Sequence, residues 1–199
     1  MRRRIAVLMV ACGAALAGGP LAGYSGPDYA KLKALLPPAP DAALCYARTY
    51  DTRHLDQHPR QRVTEMVLSL RYVTLDLNHA ILEATDDGEI EKRYFEYDFT
   101  LAAKTRDQPK TLYASGSCAS AEAIGCGVEC DGGGIEIEPV AGTDGAVLAR
   151  LERIRMTLGC SDGPSVDLDG GLDDKVFKLS KVPRRLCEAV EADARKPAP

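Results

Sequence analysis

Through most of this chain hydrophobic residues fall at every second position, the spacing of a β-strand with one buried face. Along residues 63–77, Met66, Leu68, Leu70 and Tyr72 alternate with Glu65, Ser69 and Arg71. Along 94–101, Phe95, Tyr97, Phe99 and Leu101 alternate with Glu96, Asp98 and Thr100. Aromatic rows on strands mostly pack into cores rather than serve as ligand platforms. Arg106-Asp107-Gln108-Pro109 turns the chain, and residues 110–118 return as the next strand. Shorter strands are expected at 146–151, 154–158 and 176–179. Asp86-Asp87-Gly88 and Gly142-Thr143-Asp144-Gly145 supply turns between them.

Residues 116–137 hold the densest pattern. Ile124, Cys126, Val128 and Cys130 alternate with Gly125, Gly127, Glu129 and Asp131. Cys126 and Cys130 then share a face, about 13 Å apart at the rise of an extended strand. A disulfide needs Cα atoms within roughly 7 Å, so each requires a partner on another strand. Asp131-Gly132-Gly133-Gly134 is a hairpin signal, because glycine supplies the positive φ of tight turns. Ile135 and Ile137 resume the alternation. A strand follows these glycines rather than a helix, so they are no phosphate cradle.

Helical spacing is confined to the ends. Leu32, Leu35 and Leu36 share a face within 29–36, and Pro37-Pro38 stops that helix. Pro183 opens a second helix over 183–194, with Leu186, Cys187 and Val190 as its inner face. Residues 41–50, which carry Cys45, fit either a helix end or a first strand. The fold class expected is mainly β: an antiparallel meander of about eight strands forming a small barrel or sandwich, with short helices near both termini. The pattern leaves open whether the interior is filled or holds a small ligand.

The first residues add a compartment. Met1-Arg2-Arg3-Arg4 is basic, residues 5–16 are apolar but only 12 long, and small residues follow through Ala17 and Gly18. That is too short to span a bilayer and matches a secretory signal cleaved near Ala17 or near Gly23. Residues 1–23 are therefore expected to be a leader and 24–199 one disulfide-stabilised β domain. Cys12, preceded by Met9-Val10-Ala11, offers a competing reading as a lipid-modified anchor. The formal charge is −4, which disfavours nucleic acid as a partner, and losing the three arginines takes it to −7. Periplasmic localisation follows, with no transmembrane span after cleavage.

Cleavage leaves six cysteines: Cys45, Cys118, Cys126, Cys130, Cys160 and Cys187. An even number in an exported chain implies disulfides, and six allow 15 pairings. Hairpin geometry favours Cys118 with Cys126. Cys130 with Cys160 and Cys45 with Cys187 would complete the set.

Other chemistry is sparse. His54 and His58 have the spacing of two metal ligands on one helix face, without a third or fourth nearby. Asp167, Asp169 and Asp173 lie among glycines in 161–174, a composition that can bind calcium, but the order of an EF-hand is missing. Cys118, Cys126, Cys130 and Cys160 could form a thiolate metal site, although their spacing departs from the common zinc patterns. There is no Trp and there are three His, so a multi-histidine centre is not expected. No catalytic residue and no cofactor site stand out from the pattern.

Cys45-Tyr-Ala-Arg-Thr-Tyr50, His54-Leu55, His58-Pro-Arg-Gln-Arg-Val63 and Cys126-Gly-Val-Glu-Cys-Asp-Gly-Gly133 resemble a group of small exported bacterial proteins. The resemblance covers most of the chain after the leader. It implies export and a shared β fold, and carries no activity over. The function expected is a non-enzymatic periplasmic β protein that binds a ligand or protein partner or serves the cell envelope. The alternatives are a metal-binding protein with Cys/His ligands and an inhibitor of a hydrolase.

Overall fold

A computed structural model describes residues 28–73, 81–84, 90–93, 96–120, 122–128, 131–158, 165–171 and 173–196. The expected leader, residues 1–23, and Cys12 lie outside these residues, as do Cys130, Cys160 and Phe95. The expected Cys130–Cys160 pair therefore lies outside them too.

The alternating segments form strands β1 (Ala43–Thr49), β2 (Val63–Tyr72), β3 (Ile81–Ala84), β4 (Ile90–Arg93), β5 (Tyr97–Thr105), β6 (Gln108–Ser120), β7 (Ile124–Gly127), β8 (Gly133–Pro139), β9 (Val147–Met156), β10 (Val166–Asp169) and β11 (Val176–Lys181). Among the described residues three helices accompany them: α1 (Ala30–Leu35), α2 (Thr52–Gln57) and α3 (Arg184–Ala194). Antiparallel pairing runs β9-β11-β1-β2-β5-β6-β7-β8 and returns to β9. This is a closed eight-stranded barrel. β10 continues beside the far half of β9, and β3 and β4, which fall between β2 and β5 in the chain, pair as a separate two-stranded sheet. Closure removes the free edges that an open sheet would expose.

The interior is filled. Tyr46, Met66, Leu68, Leu70, Tyr97, Phe99, Leu101, Leu112, Ile124, Ile137, Phe177 and Leu179 are all fully buried and meet in one cluster. An eight-stranded barrel is just wide enough for side chains to occupy its centre, and here they do. α1 closes one end. Its Leu32 is wholly buried, and Tyr29 and Leu36 join the same cluster. The Tyr97 hydroxyl donates to the Leu36 carbonyl at 3.0 Å, which ends α1 against the first residue of β5.

α3 lies on the outside. Cys187 and Val190 meet Cys45, Val67 and Ala102 in a second, smaller cluster over β1, β2 and β5. Leu186, expected on the inner face, is instead 39% exposed. Ser69, also under the helix, donates to the Glu191 carboxylate at 2.6 Å.

Two strand boundaries depart from expectation. Residues 146–151 and 154–158 are one strand, β9, rather than two. A register shift between Gly134 and Ile135 makes Leu151 and Arg153 face consecutive residues of β8, so Glu152 is the extra residue of a bulge. The bulge breaks the period-two pattern, placing the inward residues Leu151 and Ile154 three apart. The segment expected as an acidic loop contains β10, whose Asp167 and Asp169 pair in register with Arg155 and Arg153. The ambiguous residues 41–50 form β1, and the polar stretch after it holds α2.

Candidate functional site

Among the described residues buried side chains meet inside the barrel, and two grooves open at its ends. One groove, of about 600 Å³, runs between α1 and the ends of β7, β8 and β9. α1 contributes Ala34 and Leu35 as one wall. Ala123 and Pro139 add exposed apolar surface, the buried Ile124 and Ile137 lie beneath them, and Lys31, Glu122, Glu136 and Arg150 stand at the rim.

Local interactions fix this shape. Asp28 accepts from the Ser120 amide at 2.6 Å, and its carboxylate accepts from the Ala30 amide at 2.8 Å, so the chain enters α1 tied to the end of β6. Ser120 Oγ accepts from the Lys31 amide at 3.2 Å, and the Lys31 ammonium donates to the Glu122 carbonyl. Lys33 pairs with Glu96 at 2.9 Å, on the other side of the helix. Arg150 pairs with Glu138 across β8 and β9 at 2.9 Å. An apolar cleft with charges at its margin suits a small amphipathic molecule or an apolar side chain of a partner.

Among the described residues the cysteines form two bridges. Cys118 and Cys126 face each other directly in the β6–β7 register and are disulfide-bonded inside the barrel. Cys45 and Cys187 are bonded between β1 and α3. The thiolate metal site is thereby corrected: two of its four ligands are bonded to each other, and bridged sulfurs carry no thiolate.

His54 on α2 and His58 at its C-terminal cap come together, but not as a metal-ligand pair. Their rings stack with centroids 4.4 Å apart and planes 28° from parallel. Imidazole lone pairs lie in the ring plane, so stacked rings aim them nearly side by side rather than at one ion. Asp167 lies 3.4 and 3.3 Å from the guanidiniums of Arg153 and Arg155. Asp173 accepts from the Arg60 amide at 3.3 Å. Asp169 stays in β10, in register with Arg153. Among the described residues no three His, Cys, Asp or Glu side chains converge as a metal site.

One residue that sequence reasoning passed over is Asp174. It is 2% exposed, and its carboxylate accepts from the Arg62 and Val63 amides at 2.7 and 3.2 Å. Burial pushes its carboxyl up, and the two amides oppose that shift. It joins the entry to β11 with the entry to β2. Only the closed barrel brings 62 and 174 together, so the acidic composition of its segment gave no signal for it.

Comparison with protein-family models, with curated proteins and with solved structures finds no match. Among the described residues, no helix is long and apolar enough to cross a membrane.

Proposed function

We propose that the protein is an exported, disulfide-locked binding module of the periplasm. It engages a ligand or partner through the groove beside α1 and not by carrying cargo inside the barrel. The observation that supports this is the contrast between a barrel centre occupied by buried side chains and an open groove beside α1 whose accessible apolar lining is Ala34, Leu35, Ala123 and Pro139. Export is supported by the basic and apolar leader and by the two disulfides, which persist in an oxidising compartment.

The test uses a neutral apolar fluorophore, N-phenyl-1-naphthylamine, titrated into the folded protein. One saturable site is expected, with amide shifts at Ala34, Leu35 and Ala123. Ala34→Trp, at an exposed position, should fill the groove and remove binding. Binding that survives this substitution, or that shifts Leu68 and Phe99 inside the barrel, would refute the groove reading. Fractionation of cells making the full chain tests export separately. The mature N-terminus is expected just after Ala17 or Gly23, in the periplasmic fraction.

A further inference from the structure

A second pocket lies at the other end of the barrel, on the seam between its first and last strands. β1 and β11 pair only at Tyr46 with Lys181 and Ala47 with Ser180. Beyond those positions the two strands part, and the space between them is a pocket of about 270 Å³. Arg48 and Tyr50 line it from β1 and the residue after it, Val176 and Lys178 from β11, and His54 and His58 from α2 and its C-terminal cap.

Its wall is a ladder of flat groups. The Arg48 guanidinium lies 5.3 Å from the centre of the Tyr50 ring. The Tyr50 ring lies tilted against His54 at 4.6 Å and 30°, and His54 stacks on His58. The ladder is held from behind. Asp51 caps α2 by accepting from the His54 amide at 2.8 Å. Buried Gln61 donates through its amide nitrogen to the Val63 carbonyl at 2.7 Å, which leaves its oxygen to face His54 Nε2 at 3.0 Å. That oxygen can only accept, so Nε2 carries the proton. Arg106 donates to the Leu55 and His58 carbonyls at the end of α2, where a cation also complements the helix dipole.

The charge at this pocket is unbalanced. Asp173 lines it, but its carboxylate is engaged by the Arg60 amide and guanidinium. Among the described residues, neither Arg48 nor Lys178 has a carboxylate within ion-pair distance. Two cations with no carboxylate partner among the described residues, set beside flat rings, attract an anion with a flat body. Val176, 42% exposed, adds apolar surface that such a body would cover. The volume lies just below the range of drug-sized sites, which limits the ligand to about one ring.

We propose that this seam pocket binds a small organic carboxylate with a planar body, its acid group between Arg48 and Lys178 and its plane against the Tyr50–His54–His58 ladder. The proposal does not depend on the α1 groove, which lies at the opposite end.

The test is an NMR titration of the full domain with benzoate, using benzamide and inorganic phosphate as controls. Benzoate is expected to shift the ring signals of His54 and His58 saturably. Benzamide, which keeps the ring and loses the charge, and phosphate, which keeps charge and loses the ring, should each bind at least tenfold more weakly. The exposed double substitution Arg48→Gln/Lys178→Gln should cost benzoate at least tenfold in affinity without changing near-ultraviolet circular dichroism. Equal binding of benzoate and benzamide would overturn the proposal, as would equal binding of phosphate, unsaturable shifts, or full affinity in the double variant.

Discussion

Cys45 on β1 and Cys187 on α3 are bonded across 142 residues of chain, so one bridge ties the first barrel strand to the last helix. Cys118 and Cys126 close a separation of 8. In the chain-entropy treatment the long closure stabilises by about 5 kcal/mol and the short one by about 2.5 kcal/mol. Cys45→Ala/Cys187→Ala should therefore lower unfolding free energy by up to about 5 kcal/mol, measured by urea denaturation. It should also loosen α3, seen as faster amide exchange at Val190 and Glu191. Removing the shorter bridge should cost less in chain entropy and leave α3 protected. Equal protection of α3 in both variants would contradict the role given to the long bridge.

Asp174 is expected to be intolerant of truncation. Asp174→Ala leaves the Arg62 amide and the buried Val63 amide without their acceptor. An unsatisfied buried donor costs about 1–3 kcal/mol, so the variant should lose roughly 2–5 kcal/mol. Thermal unfolding checks this. A loss under about 0.5 kcal/mol would show that the two strand entries do not depend on it.

Two glycines in one hairpin should respond oppositely to alanine. A Cβ on Gly134 would stand 2.2 Å from the Cys126 carbonyl oxygen, a backbone atom that cannot move freely. A Cβ on Gly125 would meet nothing within 4 Å. Gly134→Ala should destabilise by about 2 kcal/mol or more, the cost of forcing atoms into a packed site. Gly125→Ala should be neutral or slightly stabilising, because it restricts the unfolded chain. Denaturant midpoints of the two variants make the comparison.

Alkaline pH should unfold the barrel through its buried phenols. Burial pushes Tyr46 and Tyr97 up to about 12. Between pH 10 and 12 the unfolded chain loses these protons while the folded chain keeps them. Their contribution is complete below pH 10 and is lost as pH rises toward 12. Stability measured across that window should fall, and Tyr46→Phe should flatten the slope. An unchanged slope in the variant would contradict burial of this ring.

Much of this architecture was written in the alternation of side chains. Met66, Leu68 and Leu70 and the row Tyr97, Phe99 and Leu101 mark inward faces, and Gly133 takes the positive φ, +70°, that a hairpin run of glycines implies. Local pattern failed where the ladder itself is irregular, as at Glu152, whose bulge splits one strand into two apparent ones. It failed again where charge hid a strand, because the exposed Asp167 and Asp169 of β10 resemble a loop until the arginines of β9 are beside them. Neither pocket could be seen in advance. The α1 groove needs residues 31 and 150 side by side, and the seam pocket needs 48 and 178; chain closure supplies both, and periodicity carries no trace of it.

Mapping of cross-links by mass spectrometry, on unreduced protein isolated from the periplasm of cells making the full chain, tests the central claim most directly. The account predicts peptides linked through Cys45–Cys187 and Cys118–Cys126, and a mature chain without residues 1–17. Free thiols at these four positions, different pairs among them, or an intact Met1 on protein retained in the cytoplasm would contradict it.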